Sequence, residues 1–159
     1  MSEQATPTAE GFDALRGLGT AASEEIVREP KIDAQGRAYA PYSGFTVGAA
    51  LRDADGRVHA GCNVENAAYP QGACAETGAI SAMIQGGGRA FAEILVVGEG
   101  EHLVTPCGGC RQRIREFAKP ETPVHIAGPE GVRRTFRLDE LLPFSFGPDN
   151  LADTGRGAR

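Results

Sequence analysis

The residues of this chain best suited to chemistry are Cys74, Glu76, Cys107 and Cys110, set in the segments Cys74-Ala75-Glu76 and Pro106-Cys107-Gly108-Gly109-Cys110. Three thiolates are soft donors that suit zinc, and three protein ligands leave one position of a tetrahedral ion open. An open position holds water, whose pKa falls toward about 7 on zinc, so the pattern predicts a catalytic metal site. Glu76 stands two residues after Cys74, in the first turn of an expected helix, where it can face that water without ligating. It can take a proton from water, place it on a ring nitrogen and then protonate a departing amine. Those tasks describe amidine hydrolysis, in which a nitrogen heterocycle loses ammonia and gains a carbonyl. A closed four-cysteine site that adds Cys62 is the structural alternative. Closed sites usually come as two short-spaced pairs, and only Cys107 and Cys110 form one here. His59, His102 and His125 stand alone and read as strand or loop histidines.

Both cysteine segments precede helical patterns, so first-turn N–H groups and the positive ends of the helix dipoles can face the sulfurs. That help is needed, because three thiolates around a divalent ion carry a net charge of about −1. The helices run from Cys74 to about Ile84, closed by Gly86-Gly87-Gly88, and from Cys110 to Phe117. Strands are expected at Phe45–Leu51, Val58–Val64, Ile94–Val97, Val124–Ala127 and Val132–Leu138, the first two joined by an Asp55-Gly56 turn. Asp139 is expected to cap a short helix over residues 140–142. Ahead of these, apolar spacing predicts an amphipathic helix over residues 12–27, interrupted by Pro30, and a second helical piece from about Asp33 to Tyr39. Alternating strands and helices in this order imply an α/β fold, a mixed sheet with helices on both faces.

At 159 residues the chain suits one domain, over about residues 10–150, between a flexible N-terminus (1–9) and a flexible tail (151–159). A formal charge of −5 argues against a protein that lives on phosphate backbones. Arg111, Arg113 and Arg115, and again Arg133, Arg134 and Arg137, read as solvated surface. No apolar run approaches a membrane span and the first residues lack a secretory signal, so the expected location is the cytoplasm. Four cysteines in a reducing compartment read as metal ligands or buried thiols.

Cys-Ala-Glu followed by Pro-Cys-x-x-Cys is a form of the zinc-dependent nucleoside deaminase signature. With Ala40-Pro41-Tyr42-Ser43-Gly44-Phe45, Asn63-Val64-Glu65-Asn66, Thr105 to Gln112 and Leu141 to Pro148, the chain resembles the small homotetrameric cytidine deaminases from about residue 38 to 151. The resemblance implies a three-layer α/β/α sandwich with a mixed five-stranded sheet, and one zinc ion per subunit held by Cys74, Cys107 and Cys110. It implies that Glu76 shuttles protons while cytidine or 2′-deoxycytidine becomes the uridine nucleoside. It further implies that Asn63 and Glu65 bind the ribose 3′-hydroxyl, that Phe45 packs on the base, and that backbone groups of Ala73 to Ala75 read the pyrimidine edge. Phe146 would enter a neighbouring subunit's pocket. On the residues alone, Asn63 and Glu65 suit either a ligand or a surface-facing strand, and Phe45 and Phe146 suit a core or an interface.

The chain departs from the family pattern in two ways. Many members carry an arginine after the glutamate, donating to the cysteine sulfurs, where this chain has Thr77; backbone donors or Arg111 are left to moderate the charge. Pro30 and Gly36 also interrupt the single helix expected before Ala38. A deaminase for another aminopyrimidine nucleoside, such as blasticidin S, is the nearest alternative. A zinc-stabilised binding module has no need of Glu76, and a nucleic-acid editor calls for a basic face.

Overall fold

A computed structural model of the chain describes Ile26 and residues 34–152. The small apolar run after Thr46 forms β1 (Val47–Asp53), which turns back through Asp55-Gly56 into β2 (Val58–Cys62). Helix α1 (Ala75–Gln85), β3 (Phe91–Gly98), α2 (Gly108–Phe117), β4 (Pro123–Gly128) and β5 (Gly131–Arg137) follow. Two short helices, α3 (Leu138–Leu141) and α4 (Pro148–Ala152), end the described part. The strands form one sheet in the order β2-β1-β3-β4-β5. Only β3 and β4 are parallel, joined across α2, and the other pairs are antiparallel, so the expected mixed five-stranded sheet is present.

Alternation along the strands sorts the core. Ala49, Leu51, Ile94, Val96, Val124 and Ile126 face the helix layer, where Ala79, Met83, Ile114 and Leu138 meet them. Ala50, Leu95, Val97 and Ala127 face the opposite side, where the helical residue Ile26 packs, fully buried. That second face also carries a polar row. Arg52 Nε donates to Glu93 Oε1 at 2.6 Å, Glu93 Oε2 lies 3.1 Å from His125 Nε2, and His125 Nδ1 lies 2.8 Å from Thr135 Oγ1. Glu93 and His125 are buried, and these contacts meet the cost of burying them.

The expected helix over residues 12–27 lies outside the described residues except for Ile26, as do residues 1–9 and 153–159. The piece expected from Asp33 to Tyr39 is shorter: residues 34–36 are helical and Tyr39 instead bridges Val64. β1 begins at Val47, not Phe45, because the Phe45 carbonyl accepts from the Asn63 side chain and not from a strand. Asp139 is not the cap of α3. Arg137 holds that position, Glu140 accepts its backbone N–H at 2.6 Å, and Asp139 pairs with the Arg137 guanidinium. A glutamate at the third helical position reaches back to the cap N–H, whereas Asp139, at the second, turns to the Arg137 guanidinium. α4 runs two residues into the segment expected to be a tail. Among the described residues, no helix is long and apolar enough to cross a membrane.

Candidate metal centre and substrate site

Cys74 and Cys107 occupy the same local position: each is the N-cap of its helix, with extended backbone and no side-chain cap bond. A Ser or Asp there would spend its side chain on first-turn N–H groups, whereas a cysteine leaves its sulfur to point elsewhere. The two helix starts are held side by side by the sheet. α1 is drawn onto β2 at Gly61, where a Cβ would lie 2.3 Å from the Ala79 nitrogen and 2.5 Å from the Ala75 carbonyl oxygen. Pro106 precedes Cys107, and Cys110 lies in the first turn of α2, fully buried.

The three sulfurs lie within 4.8 Å of one another. Zinc–thiolate bonds of about 2.3 Å in a tetrahedron place sulfurs about 3.8 Å apart, and Cys74 Sγ and Cys107 Sγ are 3.9 Å apart. The donor set therefore fits zinc in both type and spacing. Burial pushes the Cys74 and Cys110 thiols up, and for Cys110 the charge of Glu76 adds to it. Burial also acts upward on Cys107, but bonds from the Cys110 N–H and the neighbouring thiols outweigh it and leave this thiol below its ordinary value. Thiols that oppose one another's charge ionise together only around a cation, as metal ligands do.

Cys62 is not part of the cluster. Its thiol donates to the Arg37 carbonyl at 3.6 Å, which removes the closed four-cysteine alternative. His59 is 2.8 Å from Asp53, His125 belongs to the polar row, and no histidine joins a metal cluster among the described residues. Glu76 lies at the start of α1 and is 3% exposed. Among the described residues no hydrogen bond or ion pair reaches its carboxylate, while its charge is felt by all three cysteines. A buried carboxylate that the surrounding protein leaves unpaired is placed for something that enters the site.

Arg111 does not take up the role of the missing arginine. Its Nε donates to the Pro106 carbonyl at 2.8 Å, Nη1 to the Leu141 carbonyl at 2.8 Å and Nη2 to Thr105 Oγ1 at 3.2 Å, so the guanidinium is committed to oxygen acceptors. The backbone N–H of Cys110 moderates the charge on the Cys107 sulfur. Arg115 also departs from the expected solvated surface. It is 9% exposed, donates to Ser145 Oγ at 3.1 Å and pairs with Asp149 at 2.7 Å. Gln112 Nε2 adds a bond to the Phe146 carbonyl at 2.9 Å, so the helix that supplies two thiols also seats the loop bearing Phe146. Phe146 itself stays 59% exposed.

A small ladder beside β2 gathers the remaining candidates. Val64 bridges Tyr39 on one side and Ala73 on the other. Asn63 and Glu65, which flank Val64, are thereby brought next to Ala73-Cys74 and to the loop from Tyr39 to Phe45. Ala73 spends its N–H on Val64 and its carbonyl accepts one bond in return, leaving one lone pair on that oxygen. Ala75 is the first helical residue, where the N–H has no acceptor within the helix. Asn63 accepts the Val47 N–H at 2.8 Å and donates to the Phe45 carbonyl at 2.9 Å. Glu65 accepts the backbone N–H of Tyr42 at 2.8 Å and of Ser43 at 3.2 Å, and the Ser43 hydroxyl besides. Phe45 is 43% exposed beside them.

Residues 23–126, well over half of the chain, match the family model described as the cytidine and deoxycytidylate deaminase zinc-binding region. The chain belongs to this family. Among the cytidine deaminases it is 40% identical to that of Sporosarcina psychrophila over 81% of this chain and 94% of the relative. It is 43% identical to that of Mycobacterium tuberculosis over 79% and 91%. The crystal structure of cytidine deaminase from Burkholderia pseudomallei superposes with a TM-score of 0.72 at 42% identity, covering 79% of this chain and all of that one. Membership in the deaminase family makes this chain a zinc-dependent hydrolytic deaminase with an α/β cytidine deaminase-like fold, and the three-cysteine cluster is where its residues suit that metal.

Proposed function

We propose that the chain hydrolyses cytidine and 2′-deoxycytidine to uridine and 2′-deoxyuridine with release of ammonia. The observation that carries this reading is Glu76, a buried carboxylate with no partner among the described residues, set beside three convergent cysteines. Cys74, Cys107 and Cys110 would hold zinc, which when bound acidifies water and supplies the nucleophile at neutral pH. Glu76 accepts the proton from water as its oxygen adds to C4, and delivers that proton to N3. It then carries the second proton to the C4 amino group, the C4–N bond breaks, and ammonia leaves as the carbonyl forms.

The sugar end follows from what the loop leaves over. Asn63 keeps one N–H after its bond to Phe45, and Glu65 keeps one acceptor position after its three bonds. A ribose 3′-hydroxyl both accepts and donates, and so answers both. Phe45 packs on the base, while the Ala75 N–H and the Ala73 carbonyl address the pyrimidine edge. Phe146, exposed on a loop fixed by α2, reaches a neighbouring subunit's pocket in a homotetramer with shared sites. The enzyme works in the cytoplasm on free nucleosides.

Glu76→Gln tests the reading. The variant is expected to bind zinc and keep the wild-type fold while cytidine turnover falls about a hundred- to ten-thousandfold. Turnover near the wild-type rate would remove Glu76 as the shuttle, and zinc-loaded wild type that leaves cytidine and deoxycytidine untouched would remove the substrate assignment.

A further inference from the structure

Ser43 bridges two residues that the proposed function uses. Its hydroxyl donates to Glu65 Oε1, and Ser43 Oγ in turn accepts the Phe45 backbone N–H at 3.0 Å. Phe45 is therefore held at both polar backbone atoms by side chains, the N–H by Ser43 and the carbonyl by Asn63. The loop allows this because Gly44 turns back with φ of +69°, and its N–H returns to the Ala40 carbonyl at 3.0 Å.

An ionised carboxylate offers about four acceptor positions. Glu65 Oε2 takes the Tyr42 and Ser43 N–H groups, and Oε1 takes the Ser43 hydroxyl. A single position stays open, and the Ser43 hydroxyl, sharing its oxygen, decides which way it points. Those bonds, Ser43's first, also hold the Glu65 carboxyl below its usual value, which keeps it an acceptor.

We infer that Ser43 is a positioning residue for sugar recognition: its hydroxyl aims the last free acceptor of Glu65 at the 3′-hydroxyl and ties that aim to the placement of Phe45. The inference rests on the assignment of Asn63 and Glu65 to the sugar. The bonds of Ser43 run to Glu65 and Phe45, not to Glu76 or the cysteines. Its effect is therefore on binding and on the choice between sugars.

The test compares 2′-deoxycytidine with 2′,3′-dideoxycytidine, which lacks the hydroxyl in question, for wild type, Ser43→Ala and Ser43→Thr, each checked for zinc content. Wild type should prefer deoxycytidine. In Ser43→Ala the KM for deoxycytidine should rise about tenfold, the loss of one charge-assisted bond, with kcat changing less than about twofold. The dideoxy substrate should be nearly unaffected, so the preference shrinks by the same factor. Ser43→Thr keeps the hydroxyl and should restore it. Should the alanine variant not fold, Ser43→Cys keeps the volume, weakens the bond and should narrow the preference likewise. A wild-type preference that survives intact in the folded Ala or Cys variant overturns the inference alone. A wild type with no preference overturns the sugar assignment and the inference with it.

Discussion

Gly61 of β2 and Ala79 of α1 touch backbone to backbone: a methyl group added at Gly61 would lie 2.3 Å from the Ala79 nitrogen. Cys74 is the N-cap of α1 and Glu76 lies in its first turn, so this contact sets the depth at which both stand. Gly61→Ala must push the helix off the strand, because backbone atoms cannot swing aside as a side-chain tip can. Overpacking of this kind costs about 1–3 kcal/mol or more. The expected result is a lower urea midpoint and a larger relative loss of bound zinc than other surface-neutral substitutions on β2 cause.

Arg111 ties Pro106, just before one cysteine, to Leu141 and Thr105 without touching sulfur. Arg111→Met should lower unfolding stability by about 1.5–3 kcal/mol for a hydrogen-bonded charge removed. Zinc affinity, measured by competition with a chromophoric chelator, should fall much less than the about 10- to 100-fold that follows loss of a donor directly behind a ligand. A large loss of affinity with intact stability would return Arg111 to the role of charge compensator.

Arg115 acts on the other end of the same helix. Its bond to Ser145 is sheltered, whereas Asp149 is largely exposed and that ion pair contributes little. Arg115→Met is expected to loosen the loop that carries Phe146, read as faster proteolysis within residues 143–148. Zinc content should hold, since Cys107 and Cys110 lie at the far end of α2.

Acid should weaken the fold through Asp53, which is buried at the end of β1. Burial alone would raise its carboxyl, but bonds from His59 and from the Arg57 and Asp55 N–H groups, with the Arg57 charge, hold it at about 2 from an ordinary 3.8. The folded value lies below the unfolded one, so the contribution is complete above about pH 4 and is lost as pH falls toward 2. The stability gap between wild type and Asp53→Asn, from urea curves, should close over that window. A gap independent of pH would show that the carboxylate's charge is not what stabilises.

The zinc cluster was legible in the sequence because its meaning lies in short spacings: Cys107 and Cys110 share a helical turn, and Cys74 and Glu76 share another. The strands were legible for a similar reason, since small apolar runs such as residues 47–51 bury whichever face they turn. Arg111 and Arg115 were not, because solvated and committed arginines look alike until Thr105, Leu141 and Ser145 are brought alongside. Their i, i+4 spacing on α2 was the one available hint. The start of β1 was misplaced for a related reason: the Phe45 carbonyl is taken by Asn63, a side chain eighteen positions away. Residues 12–25, where a helix is expected, lie outside the described part of the chain.

The polar row across the second face of the sheet has a consequence for how the strands find each other. Arg52 is the direct partner of Glu93 and His125 that of Thr135, so four strands each contribute one member. A slip of β4 by one residue would turn His125 to the other face, away from Glu93 and Thr135 alike, and break both of its bonds to them. The aliphatic neighbours would tolerate that slip far better, since one valine or isoleucine replaces another with little loss. The row therefore serves as an alignment mark, penalising a shifted sheet before any cysteine has met a metal.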